Sequence, residues 1–336
     1  MAELDEMDHR LLNLVQTGFP LSPRPWHELG LALGIHEHEV VDRLAWLREQ
    51  RVLRQMSAIF DSKALGYHSV LVAAQAPLER LQAAADIVSA HPGVSHNYLR
   101  EHELNVWFTL AVPPQRSVDQ EAAGLAQRAG LSRFYALPAL KTFRIGVAFD
   151  LGAEQARSLG EPQAHRSIQA VVLSELDKAA VRLLQEDLAL RPRPFLPIAE
   201  ALGMDEEGLF DWMAGAGARG ILRRFAGVLR HREAGFGANG MGVWAAAPED
   251  AERVGRALAQ DPRVTHCYQR PTFEGWPYSL FTMVHGRSRE ECDAALADLG
   301  AQVPGWIGRA VLYSTKEFKK ERVKYFLEDA PALTRP

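Results

Sequence analysis

The chain repeats itself. Asp8, Pro25, Gly34 and Gly66 recur as Asp177, Pro194, Gly203 and Gly235, each displaced by 169 residues. His96 and His266 lie 170 apart, and Phe108-Thr109 and Phe281-Thr282 lie 173 apart, so the second copy carries a small insertion in one hairpin. A repeat of this length demands two homologous structural units, each with its own apolar pattern. The 336 residues are enough for two or more domains with proper cores.

Each copy opens with three helix-period segments. The first are Leu4 to Gln16 and Leu173 to Leu188. Next come SPRPWHELGLALGI and RPRPFLPIAEALGM, where proline opens a short helix and glycine ends it. The third helices run near His38 to Gln50 and Glu206 to Gly217, and the β-rich VLRQMSAIF and ILRRFAGVL follow them. This is the pattern of a winged helix-turn-helix.

The period then changes to β-α-β-β-α-β, a ferredoxin-like unit. In the first copy it reads Tyr67 to Ala74, Pro77 to Ala90, Val94 to Arg100, Leu104 to Val112, Val118 to Ala129 and Arg133 to Leu137. The second copy repeats it from Met241 to Tyr313, and both copies close on an extra segment, KTFRIGVAF and KEFKKERVKYF. The expected fold is α+β, a tandem repeat of winged helix-turn-helix plus ferredoxin-like domain. Its boundaries fall at 1–62, 63–150, 168–232 and 233–336, with a Gly-, Gln- and Ser-rich linker over 151–167.

Composition excludes several classes. No apolar run approaches the ~20 residues that span a bilayer, and the acidic start MAELDEMDHRLL lacks the cationic region of a signal peptide. The two cysteines, Cys267 and Cys292, have no metal-ligand spacing, so a reducing cytoplasm is the simplest location. A formal charge of −4 gives no bulk attraction for a polyanion. The third helices, which would read DNA, lead with Glu37, Glu39 and Asp42 in one copy and with Asp205, Glu206, Glu207 and Asp211 in the other. Carboxylates there repel phosphate, which weighs against DNA binding and for a structural or docking role.

Chemistry concentrates in VTHCYQRPTFEGWPYSLFTMVHG, from Val264 to Gly286. Strict alternation puts Val264, His266, Tyr268 and Arg270 on one strand face, opposite Thr265, Cys267 and Gln269. The first copy echoes it with His96, Tyr98 and Arg100. Alone, such a strand reads as half-buried structure with its arginine paired to a carboxylate. Here Trp276, Tyr278 and His285 follow within one hairpin, whereas the first copy has Asn105 opposite Tyr278 and Val112 opposite His285. The tail lysines Lys316, Lys319 and Lys320 form the densest basic run. These asymmetries make the second half the expected seat of chemistry, with His285 equally readable as a core histidine.

In HNYLREHELNVWFT and HCYQRPTFEGWPYSLFTMVHG, with the SPRPW and RPRPF helix starts and the closing KEFKKERVKYF, the chain resembles the siroheme decarboxylases over essentially its whole length. These look like Lrp/AsnC-type regulators converted to enzymes, and this sequence looks like a fusion of halves that are often separate polypeptides. The resemblance implies loss of two acetate carboxyl groups of siroheme as CO2, giving didecarboxysiroheme for haem d1 or alternative haem synthesis. The iron tetrapyrrole would be the substrate, with no separate cofactor or metal site. Trp276 and Tyr278 would wall the disc. Arg270, Lys316, Lys319 and Lys320 would hold its carboxylates, with His96, Tyr98 and Arg100 lining the sister strand. His266 or His285 would donate a proton, or one would ligate the substrate iron while the other donates, and Tyr268 would orient the reacting arm. Expected partners are siroheme, the two halves as a pseudo-dimer, further copies and related decarboxylase subunits. A ligand-responsive regulator and a non-catalytic tetrapyrrole carrier are the alternatives.

Overall fold

The computed structural model describes residues 4–145, 171–229 and 238–327; the expected linker over 151–167 lies outside the described residues. In chain order the elements are α1 (Glu6–Thr17), α2 (Pro25–Leu33), α3 (Glu37–Glu49), β1 (Leu53–Phe60), β2 (His68–Gln75), α4 (Leu81–Ala90), β3 (Val94–Arg100), β4 (Val106–Val112), α5 (Val118–Ala129), β5 (Arg133–Pro138) and β6 (Lys141–Ile145). The second copy supplies α6 (Glu175–Leu184), α7 (Leu196–Ala201), α8 (Glu206–Ala218), β7 (Leu222–Leu229), β8 (Ala238–Ala246), α9 (Ala251–Gln260), β9 (Val264–Gln269), β10 (Leu280–Gly286), α10 (Arg289–Gln302) and β11 (Trp306–Lys320). Contacts divide the chain into two compact units that change over at Tyr67/His68 and Val323/Lys324. One gathers both helix-turn-helix copies, the other both ferredoxin-like copies, so like packs with like across the repeat.

In the first unit each copy starts from the same local chemistry. Asp5 and Ser174 cap α1 and α6 in reciprocal capping boxes with Asp8 and Asp177. Gly34 and Gly203, at φ +76° and +72°, make the left-handed turns that stop the second helices. β1 and β7 pair antiparallel, joining the two wings into one ribbon. Phe19, Trp26, Phe195 and Phe225 meet across the copies, with Phe19 and Phe225 centroids 5.0 Å apart. Two of the third-helix carboxylates are tied down: Arg24 binds Glu37, and Arg193 binds the buried Glu206.

The second unit is one antiparallel sheet in the order β5-β2-β4-β3-β11-β8-β10-β9-β6. The extra segments at the end of each copy are exchanged strands. The last part of β11 leaves β8 and pairs with β3 of the first copy, while β6 pairs with β9 of the second. Since β5 and β6 are separated only by Ala139 and Leu140, the strands at the two margins of the sheet are consecutive in sequence. Gly255 of α9 shows how tightly the exchange is built: a Cβ there would fall 2.3 Å from the Phe143 ring of β6.

Helices cover one sheet face in each copy. α4 and α5 pack on Val72, Val94, Phe108 and Leu110; α9 and α10 pack on Trp244, Val264, Cys267 and Leu280. The opposite faces of the two copies share a third core around Trp107, Leu137, Val243, Trp276, Phe281 and Leu312. No described helix is long and apolar enough to cross a membrane.

Candidate active site

Strict alternation fails at one place in each copy, and the failure shapes the site. Cα pairing passes from Val264↔Val284 to His266↔Met283, leaving Thr265 as an extra residue; Val94↔Leu110 passes to His96↔Thr109, leaving Ser95 extra. These are β-bulges, which re-aim side chains. As a result Val264 joins Cys267 in the helix-covered core, not the face of His266, and the Thr265 hydroxyl comes round to the imidazole. Both corrections to the alternating reading follow from that single inserted residue. Cys267, buried there, has its thiol pushed up to about 12 by desolvation.

The bulge hydroxyls contact the histidines directly. Ser95 Oγ lies 2.9 Å from His96 Nδ1, and Thr265 Oγ1 lies 3.1 Å from His266 Nδ1. In the second copy the chain goes further: Thr265 Oγ1 is also 3.1 Å from His285 Nε2, and His285 Nδ1 is 2.6 Å from Asn239 Oδ1. His285 therefore belongs to a polar chain and is not an isolated core histidine. Burial depresses the His266 imidazole to about 4, with His285 adding to the shift; burial and the Lys320 charge also lower His285. Both rings are thus neutral near pH 7 in the ligand-free protein.

Tyrosine and arginine complete each strand in matching ways. Ring centroids of His96 and Tyr98 are 6.1 Å apart, and those of His266 and Tyr268 6.2 Å. Arg100 donates to Leu312 O at 2.7 Å and lies by Tyr98 and Trp107; Arg270 donates to Leu137 O and lies by Tyr268 and Phe281. Each arginine thus clasps the other copy. No carboxylate among the described residues pairs with either, and both Nε–H groups are buried without an acceptor. Desolvation lowers both guanidinium groups to about 10, so both stay charged near neutrality. Arg100 is thus a buried cation and Arg270 a half-buried one, each stacked against a tyrosine ring.

The remaining expected residues separate. Trp276, expected as a flat wall, is 2% exposed and locked among Trp107, Phe273, Tyr278 and Phe281. The insertion between β9 and β10 brings it there and fills that end of the shared face with the protein's own rings. Tyr278 stays half-buried against it. Lys316 and Lys319 turn to the helix side, bonding Gln82 Oε1 and the Ser89 and His91 carbonyl oxygens. Lys320 stands opposite His96 in the β3–β11 register, on the imidazole face. The basic tail thus serves the first copy's strand, because β11 crosses over to it. The rings of His96, Tyr98, His266 and Tyr268 are each half-buried.

Thr265 and Asn239 were absent from the sequence expectations. Thr265 shows no signal in an alternating pattern, and Asn239 lies 46 residues before its contact, His285. Among the described residues no group of three or more His, Cys, Asp or Glu could hold a metal ion.

Residues 64–144 and 233–319 match the AsnC-like ligand binding domain, and 8–54 and 177–223 match the siroheme decarboxylase NirDL-like HTH domain. A siroheme decarboxylase of Hydrogenobacter thermophilus is 39% identical over 95% of both chains. The siroheme decarboxylase NirDL subunit of Paracoccus pantotrophus is 35% identical over 94% of this chain and 96% of its own. The siroheme decarboxylase alpha subunit of Desulfovibrio desulfuricans is 46% identical over 44% of this chain. Crystal structures of the siroheme decarboxylase NirDL, alone and with an iron-uroporphyrin III analogue, each superpose with a TM-score of 0.74 at 33% identity over 96% of both chains.

Proposed function

This chain belongs to the siroheme decarboxylase family, and from that premise we propose that its twin-hairpin sheet binds siroheme and releases two acetate carboxyl groups as CO2. It acts as a cytoplasmic carboxy-lyase that makes didecarboxysiroheme for haem d1 synthesis. The observation that carries this reading is a strand face that holds half-buried imidazoles and cations no described carboxylate neutralises: His266 and His285, with Lys320 acting on His285 and Arg270 beside Tyr268 on the same strand. A buried guanidinium without an anion costs several kcal/mol of desolvation. A disc edged with eight carboxylates offsets that cost as no neutral ligand can. The substrate supplies its own iron and its own electron sink, so the protein has only to bind, orient and handle a proton.

Each loss of CO2 leaves an electron pair on the methylene carbon beside the macrocycle, and one proton must be added to make the methyl group. His266 supplies it from Nε2. In the free protein this imidazole is neutral; bound carboxylates bring negative charge beside it and raise its affinity for a proton. The acid therefore forms when substrate is present. Tyr268 flanks the ring, and the Arg270 and Lys320 charges hold the remaining carboxylates. Anaerobic incubation with siroheme tests the reading: the pigment should lose two carboxyl masses. Pigment bound but unchanged identifies a carrier, and salt-sensitive binding to duplex DNA identifies a regulator. An imidazole–iron signature that disappears in His266→Ala would make His266 a ligand of the substrate iron and leave His285 as the donor.

A further inference from the structure

The Thr265 hydroxyl has one proton and three neighbours: His266 Nδ1 and His285 Nε2 at 3.1 Å each, and Met283 O at 3.2 Å. Asn239 decides how that proton is shared. Its carbonyl Oδ1 faces His285 Nδ1 at 2.6 Å and can only accept, so Nδ1 carries the hydrogen. A neutral His285 then presents a bare Nε2, which accepts from Thr265 Oγ–H. With its hydrogen so placed, Thr265 can only accept from His266, whose hydrogen must sit on Nδ1. The second nitrogen of His266, Nε2, is left as a lone pair. If Thr265 instead donates to Met283 O, it again accepts from His266 Nδ1–H, and the outcome at His266 is the same.

We propose that Thr265, with Asn239 acting through His285, is a positioning residue that locks His266 in the Nδ1–H tautomer and fixes its ring, so that Nε2 is the atom presented to substrate. This rests on the decarboxylase reading for its consequence, not for its geometry. The device belongs to the second copy alone. Ser95 touches His96, but the position of His285 is Val112, so the first-copy hydroxyl has no second ring to anchor it. The bulge makes the arrangement possible, since without it Thr265 would face α9. The charged and titratable groups around the pair are Lys320 of β11, Tyr268 of β9 and Arg270 beyond it; Arg144 of β6 acts on Cys267, on the other face.

The test uses the full chain with Thr265→Val, which keeps the shape and loses the hydroxyl, and Thr265→Ser, which keeps the hydroxyl. Thr265→Val should lower kcat for siroheme by about 10- to 100-fold, the usual effect of removing an outer partner of a functional histidine. KM should stay within about twofold, because the cationic contacts are untouched. Thr265→Ser should recover most of kcat, and Asn239→Ala should give a smaller loss of the same kind. Independently of activity, nitrogen NMR of ring-labelled histidine in the ligand-free protein should show His266 as Nδ1–H in wild type and a mixture of tautomers in Thr265→Val. Wild-type kcat in Thr265→Val, or a Thr265→Ser variant as slow as Thr265→Val, overturns the proposal. So does a His266 found as Nε2–H in wild type. A wild-type protein that binds siroheme without releasing CO2 overturns the decarboxylase reading instead, while the NMR result still decides the positioning role.

Discussion

The two hairpins share a frame and differ in what they do with it. β3 and β9 carry the same bulge, the same hydroxyl-to-imidazole contact, the same neighbouring tyrosine and the same arginine reaching across to the other copy. The frame is structural: the arginines close the exchange of strands. The second hairpin adds a second imidazole, an amide to orient it, and an aromatic insertion that closes one end of the shared face. The first instead receives Lys320 from the crossing β11. The joint between the halves is thus the same in both copies, while the second imidazole and its amide are found on one side only.

The sharpest way to break this comparison is to remove each histidine in turn. His266→Ala should lower kcat by about 10²- to 10⁴-fold, the range for a lost acid–base group. His96→Ala should lower it less than about tenfold, mainly through KM. Equal losses would make the copies equivalent sites. Acid titration of stability gives a second, smaller contrast. The folded pKa of His266 is depressed, so the unfolded state binds more protons below pH 6.5, and stability falls as pH drops from there toward about 4. The loss should reach about 2 kcal/mol by pH 5, and denaturant unfolding of His266→Gln should lack that increment.

The shared frame predicts symmetry where the chemistry predicts asymmetry. Arg100→Met and Arg270→Met each remove one cross-copy hydrogen bond together with one desolvated charge, so the two changes should shift stability alike, within error, by urea denaturation. A markedly larger loss in one would show that the joint is lopsided. The smallest effect is expected in the helix-turn-helix unit. Glu206→Gln frees Arg193 from its carboxylate, and it should change siroheme turnover by less than about twofold while leaving duplex DNA unbound at low salt.

Much of the frame was legible because periodicity is a backbone property. β3 and α5 have the bounds read from the alternating and helical patterns, Val94 to Arg100 and Val118 to Ala129. What escaped is what depends on pairing. A bulge adds one residue without changing composition, so Val264 and Thr265 were assigned the wrong faces. The destination of the basic tail was equally hidden. KEFKKERVKYF reads as a second-copy segment, yet Lys316, Lys319 and Lys320 border the first copy because β11 is long enough to cross. Trp276 reads as an open wall because part of its burial comes from Trp107 of the other copy, which nothing near it in sequence marks.

Which copy seats the chemistry is the decisive question. Siroheme incubated anaerobically with wild type, His266→Ala and His96→Ala, followed by mass spectrometry of the pigment, reads this directly. The prediction is loss of two carboxyl masses with wild type, the same product at a reduced rate with His96→Ala, and intact siroheme with His266→Ala. Full decarboxylation by His266→Ala at the wild-type rate would contradict it.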